Sequence, residues 1–240
     1  MIRTPSPLSN TPLDRQKFVL WQAIPYNPRR WRKRLRDPDA WPDALKERGE
    51  GGRWPTVNRE QVFVVGEAAT NPRGAVHTYV AAAVWGTGTS AQGVDRAARV
   101  LDDDPSRVGQ DLAHAAQLQA SDGPVAAYGY LHGDGNRIKH LGPSFGTKFL
   151  YFAGFDANSH HRQALILDKN VASALVRLDT GDWPDHGWLA EQYARYLDIA
   201  HDWAEQWQTP PDVVERALFS IGRADPVAVL ALAHLANSRT

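Results

Sequence analysis

Ile138-Lys139-His140-Leu141-Gly142-Pro143-Ser144-Phe145-Gly146-Thr147-Lys148-Phe149-Leu150-Tyr151-Phe152 is the stretch on which the reading of this chain turns. A short polar helix over 134–140 is expected to stop at the two glycines and the proline, which make a tight connection. A second helix is expected to start at once, from about Gly146 to Ala153. Backbone N–H groups at such a start can hold a phosphate without a positive side chain. The apolar Phe149, Leu150 and Phe152 bury this helix and leave Lys148 on its first turn.

Working outward, helical periodicity dominates. Downstream, Ala164-Leu165-Ile166-Leu167 leads to Asp168, which stands as the N-cap of a helix over Lys169–Leu178. A long helix over about 187–207 and two more at 211–219 and 225–237 follow. Upstream, Asn58 with Gln61 three residues on forms a capping box. Residues 74–84 are apolar nearly all round, which predicts a central helix. Helices over 91–101, 106–119 and 122–131 come next. Asp102-Asp103-Asp104-Pro105 reads as a helix stop followed by the next helix's N-terminal charge. Residues 29–36, with Trp31 and Leu35 on one face, make a basic helix. It either grips phosphate or is answered by Asp37, Asp39, Asp43 and Glu47. No β-hairpin signal stands out. The sum is all-α, with residues 1–55 a tail, basic helix and linker, and 56–240 one helical domain.

The 240 residues contain no Cys, which removes disulfides, thiolate metal sites and a cysteine nucleophile. No stretch approaches the roughly 20 apolar residues of a membrane span, and the N-terminus lacks a signal-peptide core. A cytoplasmic protein is expected. Formal charge is zero, so any contact with a polyanion must come from local patches and backbone donors. Nine Trp suit core packing, base stacking or both.

Pro143-Ser144-Phe145-Gly146-Thr147-Lys148, with Asp168 about twenty residues on, resembles the helix-hairpin-helix DNA glycosylases, specifically the 8-oxoguanine glycosylase-like branch. Ser144 replaces that pattern's first hairpin glycine. The resemblance implies a two-lobed fold with a cleft between the lobes. It makes Lys148 the nucleophile and Asp168 its catalytic partner. It implies DNA contacts from Gly142, Ser144, Gly146, Thr147 and Lys139, and a gap-probing loop carrying Trp85 and Thr87. Trp183 and Trp188 are candidates for the walls of a base pocket. The implied partner is double-stranded DNA with a flipped base, bound by a monomer, with room for a monovalent cation at the hairpin and no other cofactor or metal.

The chemistry asks for this pair. Positive charge builds on the sugar as a base departs, and a nearby carboxylate stabilises it. An amine can attack the anomeric carbon and form a Schiff base. The resemblance implies that a member with the lysine follows excision with β-elimination. Taken alone, a first-turn Lys is usually solvated and an Asp before a helix is usually a cap. The substrate alternatives are an oxidised purine, 8-oxoguanine first, in a flat aromatic slot, or a hypermodified phage base such as glucosylated hydroxymethylcytosine in a roomier polar one, removed as antiviral defence. A non-catalytic DNA-binding module is the rival from another class; it predicts Lys148 and Asp168 too far apart to share one sugar. Adjacent His160 and His161 point apart and suggest loop polarity rather than metal. Tyr193, Tyr196 and Trp203 share helical spacing and read as core.

Overall fold

A computed structural model describes residues 14–45, 53–133, 138–155 and 160–223. A π-helical turn, Gln16–Leu20, precedes strand β1 (Ile24–Pro25), helix α1 (Pro28–Arg34) and strand β2 (Thr56–Val57). Helices α2 (Arg59–Gly66), α3 (Pro72–Thr87), α4 (Ala91–Ala98), α5 (Pro105–Asp122) and α6 (Pro124–His132) follow. The rest are α7 (Pro143–Gly154), α8 (Lys169–Arg177), α9 (Ala190–Trp207) and α10 (Pro211–Gly222). The protein is all-α apart from the antiparallel pair β1–β2, in which Ile24 faces Val57 and Pro25 faces Thr56. That pair went unpredicted because two residues carry no alternation to read. The 225–237 helix and residues 134–137 lie outside the described residues.

Local chemistry explains where the helices begin. Proline opens α1, α3, α5, α6, α7 and α10, where its missing N–H costs nothing. Asn58 and Gln61 form the expected capping box on α2, and Asn71, Ser90 and Asp104 cap α3, α4 and α5. Helix α3 is buried from Gly74 almost to its end, as its composition predicts, with α2, α4, α5 and α7 packed around it. Helix α8 lies on α10, which also packs on α9. The buried apolar residues of all these helices merge into one core.

The basic helix α1 buries Trp31 and Leu35, as expected. Its charge is answered further along the chain than predicted: Arg34 pairs with Asp95 at 2.8 Å and Asp102 at 2.6 Å. The acidic run is therefore divided. Asp102 serves Arg34, Asp103 meets Lys139 at 2.7 Å, and Asp104 caps α5. Residues 15–22 also join the body of the fold, for Arg15 pairs with Asp212 at 2.8 Å. Among the described residues no helix is long and apolar enough to cross a membrane.

Glycine sets the distance between α2 and α7. A Cβ on Gly66 would lie 2.0 Å from the carbonyl oxygen of Phe152. Backbone cannot yield there as a flexible side chain could. Gly66→Ala is expected to cost about 1–3 kcal/mol of stability. Thermal unfolding would then show a Tm lower by roughly 2–12 °C, and an unchanged Tm would contradict the close approach.

Candidate active site

Helix α7 starts at Pro143, three residues earlier than predicted, with Gly142 as its cap residue. The expected hairpin residues Pro143–Gly146 thus form the first helical turn, and Lys148 falls on the second turn rather than the first. Proline's fixed φ explains the shift, since it is preorganised for a helix start. Lys148 lies one turn beyond Ser144. Its Nζ donates to Ser144 Oγ at 2.9 Å and to the Ser144 carbonyl at 3.3 Å. The lysine stem runs against α3 at Gly86, where a Cβ would come within 2.9 Å of Cδ. Only glycine leaves room for the stem at that distance.

Asp168 caps α8 as expected. Its Oδ1 accepts from the N–H groups of Asn170 at 2.9 Å and Val171 at 3.1 Å. The other oxygen, Oδ2, stands 3.6 Å from Lys148 Nζ, with the two side chains 8% and 13% exposed. The bland reading of Asp168 as a cap and the chemical reading as a charge partner therefore hold together, one on each oxygen.

The approach to Asp168 is fastened residue by residue. Tyr193 donates to the Leu165 carbonyl at 3.0 Å and Tyr196 to the Ile166 carbonyl at 2.9 Å. Thr147 Oγ1 donates to the Leu167 carbonyl and accepts from its N–H, both at 3.1 Å. Burial pushes both tyrosines above their ordinary pKa, so they remain phenol donors. The predicted core role of Tyr193 and Tyr196 is right. What the pattern did not reveal is that their hydroxyls hold the segment that presents Asp168.

Lys148 and Asp168 line two cavities at once. The larger, about 530 Å³, also takes Arg96, Arg99, His140, Phe145, Lys169 and Trp188. Its rim is mostly basic, though Asp185 accepts hydrogen bonds from His186 and pairs with Lys169. Those two neighbours, His186 first, hold the Asp185 carboxyl below the usual carboxylate range. The smaller cavity, about 230 Å³, is walled by Gln22, Trp85, Thr87, Ile166, Glu215 and Phe219.

Behind it lies a buried ionic network. Arg59 and Glu215 meet at 2.6 Å, each 1% exposed. The guanidinium lies 4.7 Å from the Trp85 ring centroid and 5.2 Å from that of Tyr151. Burial pushes the Glu215 carboxyl upward, and Arg59 opposes the shift. Asp212 is likewise raised by burial against the pull of Arg15. Sequence reasoning missed these acids, reading 211–219 only as a closing helix. A signal existed: Asp212 and Glu215 are three apart and sit among apolar residues, where solvated acids do not belong.

The remaining predicted residues divide. Gly142 and Ser144 line the larger cavity. Gly146 and Thr147 are buried, contrary to a surface DNA contact. Gly146 N–H bonds the Gly142 carbonyl at 3.0 Å, and the Thr147 hydroxyl is spent on Leu167. Gly146 is also small for a reason, since a Cβ there would lie 2.1 Å from His132 Nε2. Trp85 and Thr87 do not sit on a loop. They end helix α3, which runs to Gly88 at φ +55°, and Trp85 packs on Phe152 as a wall of the small cavity. Lys139 is 70% exposed and tied to Asp103. Trp188 reaches the larger cavity, whereas Trp183 is buried beneath Arg195, bonded to Thr180 Oγ1, and lines neither. Among the described residues no group of His, Cys, Asp and Glu could hold a metal ion.

An all-α body that presents a lysine and a capping aspartate at the mouth of a nucleobase-sized cavity is the arrangement of a DNA glycosylase. A family model described as "Putative 8-oxoguanine DNA glycosylase OGG-like protein" matches residues 17–219, and the chain belongs to that family. The protein is accordingly a DNA glycosylase whose substrate is DNA. The match begins well upstream of the motif, within the segment that carries Gln22 and Ile24 to the small cavity. Neither the curated proteins nor the solved structures gave a significant match.

The two functions of Asp168 are separable. Asparagine keeps an oxygen for the N–H groups of Asn170 and Val171, whereas alanine keeps none. Asp168→Ala should be about 1 kcal/mol less stable than Asp168→Asn in denaturant unfolding. Equal stabilities would mean that the cap contributes nothing.

Proposed function

We propose that the protein excises an oxidised purine, 8-oxoguanine first, using Lys148 as nucleophile and Asp168 as electrostatic partner, and then cleaves the strand by β-elimination. The observation that carries this reading is the 3.6 Å separation of Nζ and Oδ2 where the two cavities meet. One deoxyribose can touch both groups. A non-catalytic module has no need of that convergence, and a buried lysine without a task is uncommon.

The larger cavity, with Arg96, Arg99, His140 and Lys169, suits the phosphates flanking an extruded nucleotide. Gly142 and Ser144 at the start of α7 would add backbone donors. The smaller cavity then takes the base itself, between Trp85 and Phe219. Aromatic walls and modest volume favour a flat purine over a base that carries a sugar.

As the glycosidic bond breaks, the base leaves with the bonding pair and acquires a proton. The sugar becomes cationic, and the Asp168 carboxylate stabilises it. The Lys148 lone pair bonds to C1′, the sugar ring opens, and an iminium forms between Nζ and C1′. That iminium acidifies C2′. Loss of the C2′ proton then expels the 3′ phosphate and breaks the C3′–O bond. Hydrolysis returns the free amine.

Sodium borohydride reduces such an iminium to a stable adduct. Wild-type protein incubated with an 8-oxoguanine duplex and borohydride should yield a covalent band that Lys148→Gln lacks. Asp168→Asn should slow single-turnover excision by about 10²–10³-fold, the usual loss for one electrostatic stabiliser. A band of undiminished intensity in Lys148→Gln would refute the assignment.

A further inference from the structure

The small cavity holds two polar atoms that the fold leaves without a partner. Glu215 Oε1 and Thr87 Oγ1 are both buried, and neither has a hydrogen bond among the described residues. Buried polar groups are nearly always satisfied, so two exceptions around one cavity beside Lys148 call for a ligand. The exceptions are not loosely placed. Glu215 Oε2 is fixed at 2.6 Å by Arg59, and Arg59 Nε donates to Gln22 Oε1 at 3.2 Å. The guanidinium is always charged, which keeps Glu215 an acceptor on its open side. Thr87 ends α3 directly beneath Gly88, and its methyl side abuts Gly93, where a Cβ would lie 3.1 Å from Thr87 Cγ2. The remaining walls, Trp85, Ile166 and Phe219, offer flat apolar contact.

We propose that Glu215 and Thr87 are specificity-determining residues that read hydrogen-bond donors on the extruded base, so that the protein selects bases presenting imino N–H or amino groups. This rests on the glycosylase reading above and refines it. A carboxylate oxygen only accepts, and 8-oxoguanine offers both an imino N–H and an amino group. A base turning only carbonyl oxygens toward Glu215 would leave the acid unsatisfied and meet repulsion from it. The penalty falls on the wrong substrate, which is how buried polar groups discriminate.

The test compares two reactions of the same protein: single-turnover excision of 8-oxoguanine and borohydride trapping on a preformed abasic duplex. The second needs Lys148 but no base. Thr87→Val removes a hydroxyl that bonds nothing in the protein, so the fold should not suffer. The ratio of excision to abasic trapping should nevertheless fall about tenfold. Glu215→Gln should lower it further. That variant strips a buried guanidinium of its counter-charge, so its folding must be confirmed; if it does not fold, Thr87→Val decides alone. A wild-type ratio in either folded variant overturns the proposal. Wild type that traps on the abasic duplex but excises neither 8-oxoguanine nor any other donor-bearing base also overturns it, while leaving the lysine chemistry standing. Absence of trapping on the abasic duplex removes the glycosylase mechanism itself and this inference with it.

Discussion

An ammonium and a carboxylate held 3.6 Å apart, both about nine-tenths buried, are the constraint around which this protein is arranged. Withdrawing two charges from water costs several kcal/mol per ion unless hydrogen bonds replace the lost hydration. Here they do. Ser144 supplies two acceptors to Lys148, and Asn170 and Val171 supply two N–H donors to Asp168. The pair is therefore paid for locally, by the first turn of α7 and the first turn of α8. Each charge also keeps one side open to a cavity, as a reacting group must.

Around the pair the fold supplies rigidity from several directions. Glycines at 86 and 66 bring α3 and α2 close to α7, and the hydroxyls of Thr147, Tyr193 and Tyr196 pin the chain before Asp168. The Arg59–Glu215 pair ties α2 to α10, while Arg15 ties the N-terminal segment to Asp212 on the same helix. The wall of the small cavity thus comes from residues as far apart as Gln22 and Phe219. Such long-range closure makes precise positioning possible, because no single loop carries the site alone.

What could be read from the sequence was local or motif-borne. The capping box at Asn58 and Gln61, the apolar run of α3 and the cap at Asp168 each follow from neighbours within one turn. Lys148 and Asp168 were found through spacing. The start of α7 was misjudged because glycine, proline and serine suit a hairpin and a helix start equally well. Gly86 and Gly88 suggested a loop, yet α3 continues through the first and stops at the second, a matter of φ that composition does not encode. Arg59 and Glu215 lie 156 residues apart, and nothing local signals that they pair. The unsatisfied atoms of Thr87 and Glu215 are visible only once the cavity between them exists.

The most direct measurement is mass spectrometric mapping of the borohydride-reduced protein–DNA adduct after digestion. The deoxyribose remnant should sit on the peptide containing Lys148, at Nζ of that residue. A remnant on Lys139, Lys169 or the N-terminal amine would show that the buried pair is scaffolding and that the reaction, if any, proceeds elsewhere.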